Sequence, residues 1–91
     1  MTVIDDAPRT VFVPRTHRRH EIVITGGMDG VLRVGAALAG CGFPVRDFAA
    51  DVREGVPYSS VTCIVSLTGG ELDAFARRLE AVPSVVAVTP C

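Results

Sequence analysis

Ninety-one residues, 48% hydrophobic and 21% charged, hold one domain and no more, since single cores commonly occupy about 100–200 residues. So apolar a chain offsets its ordering entropy, which argues against disorder, and no run of about 18 uncharged apolar residues marks a membrane span. A net charge of −1 and a pI near 6.0 argue against a dedicated nucleic-acid binder, which carries a basic field. Mean hydropathy is +0.40, high for a domain with so much surface for its volume. Part of the apolar area is therefore expected to be covered by a second chain.

The charge is uneven along the chain. Residues 1–20 sum to +2 and residues 21–91 to −3, and all nine basic residues are arginine. Cys41, Cys63 and Cys91 are too widely spaced for a zinc ribbon or a thioredoxin-type dithiol. Their odd number, with no export signal at the start, leads to the expectation of a reducing, cytoplasmic setting.

Pro8 and Pro14 punctuate the first twenty residues, which also hold Arg15-Thr16-His17-Arg18-Arg19-His20. Residues 1–20 are read as a flexible tail, with Thr10-Val11-Phe12-Val13 as a possible extra edge strand ended by Pro14. From residue 21 the pattern tightens. Ile22-Val23-Ile24 is a short β-branched run, stopped by Thr25-Gly26-Gly27. Val31, Val34, Leu38 and Cys41 then form one helical stripe, with Gly40 and Gly42 as its stop. Residues 45–53 and 58–68 read as two strands joined by Glu54-Gly55-Val56-Pro57. In the second, Val61, Cys63, Val65 and Leu67 take the core face. Thr68-Gly69-Gly70 opens a second helix with Leu72, Phe75, Leu79 and Val82 at the same spacing, and Val85-Val86-Ala87-Val88 closes the chain.

Both halves thus read strand, Thr-Gly-Gly, helix, strand. The order is β-α-β-β-α-β, an α+β, ferredoxin-like plan: a four-stranded antiparallel sheet with two helices on one face. Right-handed crossovers place the first and third strands in the centre. The other face of the sheet is expected to carry Val23, Val45 or Phe48, and Ile64 uncovered, which predicts a homodimer or a docked partner.

One segment is more specific than the architecture. Gly26-Gly27-Met28-Asp29-Gly30-Val31-Leu32-Arg33-Val34, followed by Gly42-Phe43-Pro44-Val45, resembles the ACT domain. Within that family it is most similar to the short regulatory subunit of acetohydroxyacid synthase, over about residues 21–89. The resemblance implies a branched-chain amino acid held where the first helix begins, against a second copy, a large catalytic subunit as partner, and a place in branched-chain amino acid biosynthesis. Helix N-terminal N–H groups and the dipole favour a carboxylate there on independent grounds. The residues implicated are Gly26, Gly27, Met28, Asp29 and Gly30, with Arg46 and Arg33 as nearby cations. The sequence departs from the family at Gly26, where an asparagine is common, at Asp29, where a glycine is common, and at Pro44, where an amide is common. The carboxylate of Asp29 would repel that of a ligand.

Blander readings stand beside these. Gly26-Gly27 recurs as Gly69-Gly70, which favours a simple turn, and Asp29 is expected to cap the helix. His17 and His20 lack the further ligands a metal needs, and no metal or cofactor is expected. Cys41 and Cys63 read as buried hydrophobes. The leading function is a non-catalytic, dimeric regulatory or accessory subunit that senses a small amino acid. The alternative is a ligand-free scaffold that stabilises a partner enzyme. The third is a small enzyme with Arg46, Asp47 and Tyr58 in a dimer cleft.

Overall fold

The structure is a computed structural model that describes residues 14–91. Its elements are β1 (Thr16–Ile24), α1 (Gly27–Ala39), β2 (Val45–Asp51), β3 (Ser59–Leu67), α2 (Glu71–Glu80) and β4 (Val85–Pro90). The strands form one antiparallel sheet in the order β2-β3-β1-β4. The expected βαββαβ plan is what the chain adopts, with the first and third strands central. No helix among the described residues is long and apolar enough to cross a membrane.

The boundary at residue 20 needs correction. β1 starts at Thr16, so Thr16, His17, Arg18, Arg19 and His20 are strand rather than tail. The cause is β3, whose nine residues pair with β1 from Ile24 opposite Ser59 back to Thr16 opposite Leu67. β4 reaches only to His20, so from Thr16 to Arg18 the strand is held by β3 alone, whose backbone groups need partners, and charged side chains do not prevent pairing when they project into water. The suggested edge strand at residues 10–13 lies outside the described residues. The β2–β3 connection is also longer than expected, running over residues 52–58.

Both helical stripes face the sheet as read from their spacing. Ile22 and Ile24 of β1, Val61, Cys63, Val65 and Leu67 of β3, Val31, Val34 and Leu38 of α1, and Phe75 and Leu79 of α2 are buried in one core, with Cys41 beside them. Burial of each large aliphatic or aromatic side chain contributes about 1.5–3 kcal/mol. His20 joins this core at 1% exposure.

The open face of the sheet is not the apolar surface expected. Val45 pairs with Val65 and so shares its face, toward the helices. The register then shifts between Arg46 and Ala49, where Asp47 takes a left-handed φ of 55°. This bulge turns Phe48 to the helix side, with its Cζ 3.9 Å from where a Gly35 Cβ would stand. Only Val23 and Ile64 of the expected set remain on the open face, both half-buried. Around them lie Arg19, Glu21, Arg46, Ala49, Asp51, Ser60, Thr62, Ala87 and Thr89.

The apolar surplus sits elsewhere. Met28 is 58% exposed, Leu32 64% and Phe48 44%. Met28, Leu32, Gly35 and Ala39 are spaced as a second stripe along α1. With Phe48 and Val45 of β2 they make an apolar flank, indented by a cleft of about 300 Å³ lined by Gly35, Leu38, Ala39, Val45 and Phe48.

Candidate functional site

The candidate site is the turn from β1 into α1. Its backbone is pinned to the far end of the chain: the Thr25 N–H donates to the Ser84 carbonyl at 2.8 Å, and the Thr25 hydroxyl donates to the same oxygen at 3.4 Å. Two left-handed residues follow, Gly26 at φ 85° and Gly27 at φ 57°. Residues with a Cβ rarely hold such values, so the turn depends on both glycines. Gly26 caps α1 without any side-chain hydrogen bond. The first intrahelical bond runs from the Gly30 N–H to the Gly26 carbonyl at 3.4 Å. The N–H groups of Gly27, Met28 and Asp29 precede it and have no acceptor within the helix.

Asp29 is not the cap that the sequence led one to expect. It lies inside the first turn, exposed, with no capping bond. Its carboxylate interacts favourably with the helix dipole and competes with any anion approaching the same N–H groups. Gly30 serves packing rather than ligand access. It is buried, and a Cβ there would collide with the Thr25 carbonyl oxygen. Arg33, one turn further along, donates from Nη1 to the Ser84 hydroxyl at 3.4 Å. Ser84 is buried and ties the loop, α1 and the start of β4 together. Nothing in its local sequence marked it, because its partners are 51 and 59 residues away.

Arg46 does not join this loop within one chain. It pairs with Ile64 at the level of Arg19, five residues or about 16 Å along β1 from Ile24. It also projects from the face away from the helices. Only a second copy could bring it to a loop of this kind.

The two Thr-Gly-Gly turns, alike in sequence, differ in geometry. Gly70 is right-handed at φ −73°. The second turn is held by a reciprocal pair instead: the Thr68 N–H donates to Glu71 Oε1 at 3.0 Å, and the Glu71 N–H donates to the Thr68 carbonyl at 3.1 Å. That bond to the Thr68 N–H, and then Arg15 beside it, hold the Glu71 carboxyl below its ordinary range. The first turn has no such internal partner for its N–H groups, so the repeat does not reduce it to a plain turn.

Other candidates separate in the structure. His17 and His20 are three residues apart on a strand, so His17 projects from the open face and His20 into the core. Among the described residues no group of three or more His, Cys, Asp or Glu side chains is placed to hold a metal ion. The Cys63 thiol is buried, and desolvation pushes it up to about 11, which leaves it a poor nucleophile. Arg46 and Asp47 open β2, whereas Tyr58 precedes Ser59 at the other end of the sheet. The polar cluster suggested for a small enzyme is therefore not assembled within the chain.

No protein-family model matches the sequence, and no curated protein matches it. Among solved structures, the crystal structure of the ACT domain from GTP pyrophosphokinase of Chlorobium tepidum is similar at a TM-score of 0.73. The match has 10% sequence identity and covers 86% of this chain and 100% of that one. Two helices on one face of a β2-β3-β1-β4 antiparallel sheet, traced in the order βαββαβ, thus give this chain the fold of an ACT domain.

Proposed function

We propose that the chain is a non-catalytic regulatory module that pairs with a second copy and holds a small amino acid at the β1–α1 turn, so as to modulate a partner biosynthetic enzyme. The observation that carries this reading is the turn itself. Two left-handed glycines leave three helix N–H groups without a side-chain cap, beside an exposed apolar flank that begins at Met28. A carboxylate satisfies those N–H groups and gains from the helix dipole. An apolar ligand side chain would lie against the flank, shielded by the second copy. The fold shared with the ACT domain from GTP pyrophosphokinase supports a module that works beside an enzyme. The similarity of residues 26–34 and 42–45 to the acetohydroxyacid synthase small subunit makes a catalytic subunit of that kind the partner to try first. Such a ligand alters the partner only through different affinities for its two states, typically worth about 1–3 kcal/mol.

Calorimetric titration with each of the twenty amino acids tests the reading. One amino acid is expected to give heat and to raise the melting temperature. Replacing Asp29→Asn is then expected to tighten that ligand about two- to five-fold, since a charge at a helix start is worth about 0.3–1 kcal/mol. Silence from all twenty would overturn the sensor. It would favour the second reading, a ligand-free scaffold, to which Asp29 in the first turn of α1 already lends support.

A further inference from the structure

The open face of the sheet has a charge order that the regulatory reading does not use. His17 and Arg19 of β1 and Arg46 of β2 lie toward one end of the strands; Glu21 of β1 and Asp51 of β2 lie toward the other. Arg19 and Glu21 are both exposed. Neither takes part in the ion pairs among the described residues, which join Arg15 to Glu71, Arg53 to Asp51 and Arg77 to Asp73. Between the two ends the face is built of short side chains, Ala49, Ser60, Thr62 and Ala87, with Ile64 and Val23 half-buried; beyond Glu21 it is indented by a cleft lined by Val23, Asp51, Val56 and Tyr58, where Arg53 stands against Asp51. The edges of the sheet are less suited to another chain. β2 is bulged at Asp47, and β4 ends in Pro90 with its register broken near Val23. Both devices disfavour edge-to-edge strand addition.

We propose that this open face packs on the open face of a second copy, with β1 lying over β1 in the reverse direction and Arg19 of each copy set against Glu21 of the other. A two-fold axis in the plane between the sheets, running across the strands between Arg19 and Glu21, gives this arrangement. The same axis sets Ile64 over Thr62 and brings His17 over Val23. An axis along the strands would instead lay basic end on basic end, so the charge order selects the first. Sheets packed in this way stand about 10 Å apart, within reach of an arginine and a glutamate. The contact is isologous, so each interface holds the Arg19–Glu21 pair twice. It is separate from the α1–β2 flank and does not depend on any ligand.

Sedimentation of the full chain at low and moderate salt, across micromolar concentrations, reads the assembly. Arg19→Glu and Glu21→Arg are each expected to weaken self-association at least about tenfold, because like charges then face each other. An equimolar mixture of the two variants is expected to recover assembly, since each then offers the charge the other lacks. If neither variant changes the assembly, the proposal fails. If both weaken it and the mixture does not recover, the arginine acts by another route and the proposal fails too. A variant that lowers the melting temperature of a monomer would mean that the face is covered by its own chain, which also overturns it. The flank reading is tested apart, with Leu32→Glu: loss of association there, with the charge variants silent, would leave the flank standing and this face refuted.

Discussion

His20 sits in the core as a polar ring with only part of its hydrogen bonding met. Its Nδ1 is 3.3 Å from the Arg18 carbonyl, which marks that nitrogen as the protonated one in the neutral ring. The Nε2 atom is buried with no partner among the described residues. Phe75 meets the ring edge-on at 4.9 Å between centroids, Cys63 lies opposite on β3, and Pro90 lies opposite on β4. No carboxylate faces it from these elements. Desolvation lowers its pKa from the ordinary 6.5; the Arg18 carbonyl opposes this shift and the Arg18 charge adds to it. The unfolded chain therefore takes up a proton near pH 6.5 that the folded chain resists. Stability from the neutral ring is complete above that pH and is lost as pH falls from about 6.5 toward the lower folded value. The urea midpoint is expected to drop between pH 7 and pH 5.5, and His20→Leu to flatten that drop. An unchanged slope in the variant would assign the pH dependence to other groups. Glu71 does not blur this window, since a carboxyl held low gives up its contribution only below its ordinary 4.5.

At the scale of elements, α1 and α2 start from the same tripeptide and solve the same problem differently. The second helix uses the Thr68–Glu71 exchange; the first uses left-handed glycines and contact with Ser84. The glycines of α1 are correspondingly unequal. Gly27→Ala places a Cβ in open space and costs only the left-handed strain, about 1–2 kcal/mol. Gly30→Ala forces a Cβ onto the Thr25 carbonyl, and such overpacking in a tight site costs about 1–3 kcal/mol or more. Urea unfolding of the pair is expected to rank Gly30→Ala as the worse, and the reverse order would mean that the Thr25 turn yields easily. The spacing of Val31, Val34, Leu38 and of Leu72, Phe75, Leu79 made both helices and the fold legible in the sequence. The start of β1 was not, because a run of arginines looks like a tail until a long partner strand demands its backbone. The bulge at Asp47 was not legible either: Arg46 and Asp47 are two successive charged residues before Phe48, a break in alternation that does not say which side Phe48 takes, and only the register with β3 reveals that it faces the helices. For the site, the glycines pointed to the right turn, while Ser84 came from a distant segment that no local pattern could connect to it.

Taken whole, the molecule is more apolar than its size needs, and that surplus has a place. Composition implied a covered surface, but the sheet's open face, where periodicity put it, is largely polar. Part of the surplus lies on the α1–β2 flank, where Leu32 and Met28 stand free and Phe48 rests on Gly35, and the rest on the β2–β3 connection at Val52, Val56 and Tyr58 and on β4 at Val86. Glycine at residue 35 and alanine at residue 39 keep that flank shallow enough for another helix or strand to approach. Covering the flank with a second copy would remove Met28, Leu32 and Phe48 from water together, at about 25 cal/mol per Å² of apolar area. Leu32→Glu places a charge at the centre of this patch without touching the core, since Leu32 is already mostly in solvent. The substitution is expected to leave the unfolding of the isolated chain within about 0.5 kcal/mol, as exposed sites generally do, while lowering self-association in sedimentation. Pairing through the open face of the sheet is expected to persist in this variant, so the outcome that counts against the flank is association as strong as that of the parent chain, which would leave the β1–α1 turn without the shielding that ligand binding there requires.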